Sequence, residues 1–189
     1  MAVFTPELRE RAGEVMARYP KGRERSAVMP LLYLAQSAEG RVSREGLREV
    51  ADLLGLKTAE VEAVASFYTM LRLRETGKHV VSVCTNLSCA LRGAKDVFEA
   101  ARRAAGMPNG RECSDDGLFT IHEEECLGLC EHAPAVQIDF AAHDGVTPER
   151  MTQMIEQLRA GEVPPPSRGP AMEDFKQASR VLAGVELPG

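Results

Sequence analysis

Apolar residues recur at intervals of three and four through the first part of the chain, which is typical of amphipathic helices. Thr5 precedes Pro6 as an N-cap precedes a first-turn proline, and Gly40 and Gly55 are placed to end helices. Four helices are predicted, from Pro6 to Pro20, from about Ser26 to Gly40, from Ser43 to Gly55 and from Thr58 to about Arg74. Residues 1–76 are therefore predicted to form an N-terminal helical bundle.

The pattern changes after Lys78 to short runs rich in β-branched residues, which indicate strands. Strands and helices then follow in the order βαββα. The strands are predicted at His79–Val83, Leu118–His122 and Ala135–Asp139, and the helices around Ala94–Ala101 and Pro148–Leu158. Residues 77–160 are therefore predicted to form a sheet with helices packed on it, which makes the fold class α+β. Residues 161–189 include the run Pro164–Pro166 and lack a sustained pattern, which predicts an extended tail.

Composition narrows the range of partners. The chain has 189 residues, a formal net charge of -5 and a charged fraction of 27%, as expected of a globular protein. Its longest apolar stretch, Ala27–Ala35, contains Pro30 and has about half of the ~20 residues that a membrane-spanning helix needs. The N-terminus shows no export signal, so we expect a cytoplasmic chain without direct membrane insertion. The acidic charge argues against nucleic acid and favours protein partners.

Four of the five cysteines form two closely spaced pairs. Cys84-x4-Cys89 and Cys126-x3-Cys130 each follow a predicted strand, so their loops can present thiolates at the end of a sheet. In a cytoplasmic chain such cysteines indicate metal binding or redox chemistry rather than disulfides. The wide loops favour a two-iron cluster over a zinc site, although zinc-ligand spacings of this length also occur. Both metals remain possible from the spacing.

Residues close to these cysteines in the sequence could influence a bound metal centre. Thr85, Asn86, Ser88 and the backbone around Gly128 are expected to supply hydrogen-bond donors that stabilise anionic sulfur. His132 lies close enough in sequence to Cys130 to tune a cluster, although a solvated loop histidine is the more ordinary interpretation. Cysteines can also simply fill a core. Cys113 stands alone in a polar turn and is predicted to be a free thiol with no ligand role.

The sequence lacks the motifs of nucleotide-binding sites and of catalytic sites. There is neither a G-x-G-x-x-G after a strand nor a G-x-x-x-x-G-K-[ST], so we expect the chain itself to bind neither FMN nor NADH. No motif combines a nucleophile, a base and an orienting group, so no catalytic site is expected in the isolated chain. Electron transfer within a larger enzyme fits these features better than independent catalysis.

Three stretches of the sequence have a recognisable order and spacing: Val61–Met70, Val83–Gly93, and Glu125–Cys130 with Ala133–Val136. They closely resemble the family of 24 kDa subunits of respiratory complex I, the NADH:quinone oxidoreductase, and the resemblance covers roughly residues 5–160. It implies a thioredoxin-like ferredoxin domain after the helical bundle, and one [2Fe–2S] cluster. The family's ligands fall on Cys84, Cys89, Cys126 and Cys130, and none falls on Cys113.

The resemblance also implies partners and a place in the cell. The cluster would exchange single electrons with the flavin of a neighbouring NADH-oxidising subunit, which would bind both FMN and NADH. The chain would be a subunit of a proton-translocating enzyme, alongside other subunits of its peripheral arm. It would lie peripherally on the cytoplasmic side of the cell membrane. Relatives of this subunit also serve NAD-linked hydrogenases and formate dehydrogenases, so the final electron acceptor stays open.

A DNA-binding alternative comes from Ala51–Thr58, which looks like the turn of a helix-turn-helix. The recognition helix would carry Glu60 and Glu62 but no lysine or arginine, and it would repel phosphates. We therefore expect a protein partner instead. The apolar residues Phe67, Tyr68, Met70 and Leu71, together with the proline-rich tail, are expected to dock on the flavin-bearing subunit.

Overall fold

A computed structural model of the chain describes residues 2–107 and 110–186. They divide into two compact units. The first contains the described residues up to Glu75 together with those from Lys176 onward, and the second is Thr76–Phe175. The predicted α+β class is confirmed. The final residues of the predicted tail, 187–189, lie outside the described residues.

The described residues form eight α-helices and four strands, of which most were predicted. In chain order the helices are α1 (Pro6–Met16), α2 (Val28–Glu39), α3 (Arg44–Leu54), α4 (Thr58–Phe67), α5 (Leu87–Leu91), α6 (Ala94–Ala104), α7 (Pro148–Arg159) and α8 (Phe175–Ala183). The strands are β1 (His79–Cys84), β2 (Phe119–Glu124), β3 (Val136–Ile138) and β4 (Ala141–His143). Within 2–107 and 110–186, none of these helices has the length and apolar character that crossing a bilayer requires.

Local signals place the helices of the first unit. The Thr5 hydroxyl accepts the N–H of Leu8 at the start of α1, and the Ser43 hydroxyl accepts that of Gly46 at the start of α3. Gly40 and Gly55 end α2 and α3 in the left-handed conformation that glycine adopts without strain. The apolar faces of these helices share one core, whose centre includes the fully buried Leu31, Leu32 and Leu34 of α2.

The helix α4 ends at Phe67, seven residues before the predicted end near Arg74. Tyr68 is already extended, and the backbone beyond it bonds to the buried side chain of Gln36. The Gln36 amide donates to the Met70 carbonyl at 3.2 Å and accepts the Arg72 N–H at 2.7 Å. A buried glutamine is stable only when its polar atoms are paired. These tertiary bonds replace those of a longer helix.

The predicted extended tail contains a helix, so that prediction is wrong over Phe175–Ala183. Ala178, Ser179 and Ala183 of α8 are buried, at a spacing that lines up on one helical face. The Ser179 hydroxyl lies 3.2 Å from the Gln36 amide nitrogen, and Ala183 belongs to the core of the first unit. The buried face begins with Phe175 and continues with alanine and serine, whose small side chains give a weak signal in the sequence.

The second unit contains one four-stranded sheet in the order β2-β1-β3-β4. The central strand β1 is parallel to β2, with His79 opposite Phe119 and Cys84 opposite Glu124. It is antiparallel to β3, and β3 is antiparallel to β4. The helices α6 and α7 pack against each other, and α6 also packs against β1 and β2. Their core contains Val81, Ile121 and Met151, all fully buried.

The strand β4 was not predicted, because the turn before it lacks the usual glycine or asparagine. Asp139 and Phe140 both have positive φ, 50° and 66°, as a tight two-residue hairpin turn requires. The buried Asp139 carboxylate compensates by bonding to His79 Nδ1 at 2.7 Å and to the Val80 N–H at 2.8 Å. Tertiary contacts therefore stabilise a turn that the local sequence disfavours.

The start of β1 depends on a glycine. A Cβ atom on Gly77 would lie 2.6 Å from both the backbone N and C of Phe119, closer than such atoms approach in proteins. The Gly77 N–H also donates to the Thr120 hydroxyl at 2.7 Å. Because the clashing atoms are backbone atoms of β2, they cannot move without disturbing the strand pair.

We predict that Gly77→Ala lowers the free energy of unfolding by about 2–3 kcal/mol, the upper part of the range for overpacking. The matched control is Gly13→Ala on the exposed face of α1, where a Cβ atom meets nothing within 4 Å. That change should stabilise the protein by up to about 1 kcal/mol, because alanine favours helix more than glycine does. Urea denaturation followed by circular dichroism measures both. Equal stabilities for the two variants would contradict the clash.

Candidate metal centre

Two loops at one edge of the sheet carry the four paired cysteines. Because β1 and β2 are parallel and in register, they end side by side at Cys84 and Glu124. Cys84 is the last residue of β1, and Cys89 lies in the short helix α5 that follows. Cys126 lies just beyond β2, and Cys130 begins a 3-10 turn. The fold therefore delivers the four residues to the same edge, as their positions after strands predicted.

Cys84 and Cys89 form a buried pair. Each residue is 2% exposed, and they pack with Ala94, Leu129 and Ala135. Ala135 ties the pair to the strand segment before β3, since its carbonyl accepts the Cys84 N–H at 3.0 Å and its own N–H donates to the Cys89 sulfur. Burial raises the pKa of the Cys89 thiol to about 11, and the Ala135 N–H opposes that rise in pKa.

Cys126 and Cys130 form an exposed pair with their sulfur atoms 3.4 Å apart. The N–H of Gly128 donates to Cys126, which lowers the pKa of that thiol. The hydrogen bond from the Cys130 thiol adds to the effect on Cys126, while Cys126 in turn raises the pKa of Cys130. Gly128 adopts a φ of 76°, a conformation that a side chain would strain. This glycine therefore allows the turn that points an amide at sulfur.

The two pairs influence each other electrostatically. The charge of Cys84 contributes to the raised pKa of Cys130, and the charge of Cys130 contributes to that of Cys89. Across 2–107 and 110–186, no three His, Cys, Asp or Glu side chains are grouped as ligands of one metal ion. The thiols are thus paired within each loop, and the two pairs are close enough to interact.

This donor set has a definite chemical preference. Thiolates are soft ligands that select zinc, copper(I) or iron–sulfur clusters over magnesium or calcium. A structural zinc ion requires four ligands arranged tetrahedrally around one centre, whereas four cysteines in a [2Fe–2S] site bind two metal atoms. Two pairs suit two metal atoms. Four cysteines in two pairs are therefore a donor set that a two-iron cluster can use.

Asn86 and Glu125 connect the two loops. The Asn86 side-chain NH₂ donates to Glu125 Oε2 at 2.8 Å, and its oxygen caps α5 by accepting the Leu87 N–H at 2.7 Å. The Asn86 amide was expected to donate to sulfur, and in the structure it bonds to the Glu125 carboxylate instead. Of the predicted donors, Gly128 is confirmed. The Ala135 N–H was missed because a main-chain group carries no sequence signal.

Cys113 lies away from these pairs. Its sulfur is 3.2 Å from the Thr120 hydroxyl, and Thr120 pairs with Val80 near the start of β1. Val80 and Cys84 are four residues apart along the strand, or about 13 Å. Cys113 is therefore at the other end of the sheet, consistent with its predicted lack of a ligand role.

The histidines occupy other environments. His79 pairs with Asp139, and burial lowers the pKa of His143 to about 4. His132 is exposed and lies in the same 3-10 turn as Cys130. Its carbonyl accepts the Gly145 N–H at 2.6 Å, which anchors this turn to the loop after β4.

Comparison with known proteins identifies clear relatives. The family described as thioredoxin-like [2Fe–2S] ferredoxin matches residues 12–159. A subunit of the NADH-quinone oxidoreductase of Mycobacterium tuberculosis is 41% identical over 174 residues, which cover 92% of this chain and 68% of the relative. NADH-quinone oxidoreductase subunit 2 of Thermus thermophilus is 39% identical over 150 residues, covering 79% of this chain and 82% of the relative.

A solved structure shares the fold at lower identity. A chain of an NAD⁺-reducing [NiFe]-hydrogenase in the H₂-reduced state superimposes with a TM-score of 0.60 and 21% identity. The match covers 71% of this chain but 23% of the hydrogenase chain. At this identity the likeness concerns the fold alone.

The opposite pKa shifts of the thiols predict unequal reactivity in the metal-free chain. Alkylation requires the thiolate, so the lowered pKa and the exposure of Cys126 favour its reaction, whereas the raised pKa and burial of Cys89 oppose reaction there. At pH 8 we expect iodoacetamide to label Cys126 at least about tenfold faster than Cys89. Peptide mass spectrometry of timed samples measures both rates. Equal rates would show that the buried pair opens to solvent.

Proposed function

The chain belongs to the thioredoxin-like [2Fe–2S] ferredoxin family, and we propose that Cys84, Cys89, Cys126 and Cys130 hold its cluster. It is an electron-transfer subunit of NADH-quinone oxidoreductase, in agreement with the resemblance seen in the sequence. The observation that carries the ligand assignment is the pair of loops at the carboxyl edge of β1 and β2, each bearing two thiols. Each pair would bind one of the two irons.

The bound cluster supplies one-electron chemistry, and the protein adjusts how readily an electron is accepted. The N–H groups of Gly128 and Ala135 point at thiolate sulfur and favour the more negative, reduced state. One such donor contributes about 1–2 kcal/mol, which corresponds to about 40–90 mV for a one-electron couple. The acidic side chains of Glu125 and Glu131 act in the opposite direction. The balance of these groups sets the potential.

The electron donor is proposed to be a flavin in a neighbouring subunit. A hydride delivers two electrons together and a [2Fe–2S] cluster accepts one, so a flavin must separate the pair. The chain works with other subunits of an NADH-oxidising complex, and we propose that FMN and NADH bind to one of these. Membership of a membrane-associated respiratory complex supports peripheral placement, which we propose is on the cytoplasmic side.

An exposed apolar patch is proposed to contact that subunit. Phe67 is 77% exposed, and its ring meets that of Tyr68 edge to face at 5.0 Å. Met70 is 41% exposed. Leu71, which was expected to contribute, is buried in the first unit and is excluded from the patch. The proposed role of the tail in docking is reduced accordingly, because its helix α8 already packs in the first unit.

We predict that anaerobically prepared protein contains two irons and two labile sulfides per chain and becomes paramagnetic on one-electron reduction. Replacing any of the four ligands by serine should destroy or strongly alter the cluster, because a thiolate is lost. Cys113→Ser is the matched control and should leave the electron paramagnetic resonance spectrum of the reduced protein unchanged. One zinc per chain and no sulfide would contradict the proposal, as would loss of the cluster from the control.

A second prediction concerns NADH. The isolated chain with its cluster assembled should not oxidise NADH, because a [2Fe–2S] cluster accepts one electron at a time and a hydride delivers two. Adding the flavin-bearing subunit should produce turnover with an artificial acceptor, measured by the loss of NADH absorbance. The control is the flavin-bearing subunit alone, which defines the rate that does not require this chain. Rapid NADH oxidation by the isolated, flavin-free chain would overturn the electron-carrier interpretation.

A further inference from the structure

The chain beyond α7 returns to the sheet and pairs with its outer strand β4. The Ser167 N–H donates to the Ala142 carbonyl on β4 at 2.8 Å, and Arg168 forms an isolated antiparallel bridge with Ala142. The Ser167 hydroxyl accepts the Asp144 N–H at 2.8 Å. These bonds hold residues 167 and 168 against the second unit, where an extended tail was predicted.

The side chain of Arg168 joins two carboxylates. Its Nε donates to Asp144 Oδ2 at 2.9 Å, and its Nη2 donates to Glu131 Oε1 at 2.6 Å. Arg168 and Glu131 thus form an ion pair at hydrogen-bonding distance. The backbone bridge and the second carboxylate, Asp144, fix the guanidinium at this place.

Glu131 directly follows Cys130, one of the four proposed ligands. A carboxylate at this position opposes the addition of an electron, because reduction makes the cluster more negative. The positive guanidinium of Arg168, which is shared between Glu131 and Asp144, offsets part of that charge at hydrogen-bonding distance. The side chains of Arg168 and Glu131 are 45% and 53% exposed, so solvent screens the interaction and its effect is modest.

We propose that Arg168 raises the reduction potential of the cluster by neutralising Glu131 beside Cys130, an inference that rests on the ligand set proposed above. Arg168 is a positioning residue that acts through Glu131. Without it, the turn at Cys130 carries one more unit of negative charge. The segment after α7 thus contributes to the redox properties of a site whose ligands all lie earlier in the chain.

The test compares midpoint potentials of the full chain carrying its cluster, measured at pH 8 by redox titration with electron paramagnetic resonance. Arg168→Gln should lower the ratio of reduced to oxidised cluster at a fixed potential about threefold, the scale of an exposed charge pair, or about 28 mV. Glu131→Gln should shift the potential by a similar amount in the positive direction. The double variant should have a midpoint potential close to that of the wild type. Arg168→Lys keeps the positive charge and should shift the potential much less than Arg168→Gln does.

The matched control is Arg159→Gln. Arg159 has a similar exposure and pairs with Asp116 at 2.6 Å, but Asp116 lies before β2, at the end of the sheet away from the cysteines. This variant removes the same charge and a comparable ion pair, and it should not shift the potential. Raising the ionic strength should shrink the effect of Arg168→Gln, which a purely structural role would not explain.

A shift for Arg168→Gln no larger than that of the control would overturn the inference. So would Glu131→Gln if it left the potential unchanged or lowered it. If Arg168→Gln failed to retain the cluster, Arg168→Lys and Glu131→Gln would still decide the question. A wild-type chain without iron and sulfide would instead contradict the proposed function, so the two failures are distinguishable.

Discussion

The parallel pairing of β1 with β2 determines where the four thiols can meet. His79 lies opposite Phe119 and Cys84 opposite Glu124, so the two strands run in the same direction and end together. The loops that follow therefore start from one edge of the sheet. Had the strands been antiparallel, Cys84 would end its strand about 17 Å from the end of β2, given five steps along a strand. The two loops would then have to run along the whole length of the strands before their cysteines could meet.

The two cysteine pairs at the ends of β1 and β2 lie in different environments. The pair at Cys84 and Cys89 is buried against Ala135 and has little access to water, whereas the pair at Cys126 and Cys130 is exposed. Burial disfavours negative charge on the first pair. A main-chain N–H group favours negative charge on sulfur in each pair. Packing thus holds one half of the site, while a turn containing Gly128 holds the other.

The sequence was most informative where local patterns agreed with the tertiary structure. The cysteine spacing, the strands that precede it and most of the helices were predicted, because each depends on residues close together in the chain. The errors arose from distant contacts. Gln36 ends α4 by bonding to its downstream backbone, and Asp139 stabilises an unusual turn through His79. The salt bridge between Arg168 and Glu131 joins residues separated by 37 positions, a pairing that no local pattern could indicate.

The helix α8 has a consequence for synthesis on the ribosome. Gln36 and Ser179 are hydrogen-bonded partners 143 residues apart, and the residues of the second unit are made between them. At a translation rate of about 5–20 residues per second, Ser179 is synthesised roughly 7–30 s after Gln36. The second unit is continuous in sequence and can fold as it emerges. The first unit begins the chain, yet it completes its core after the second unit has been translated.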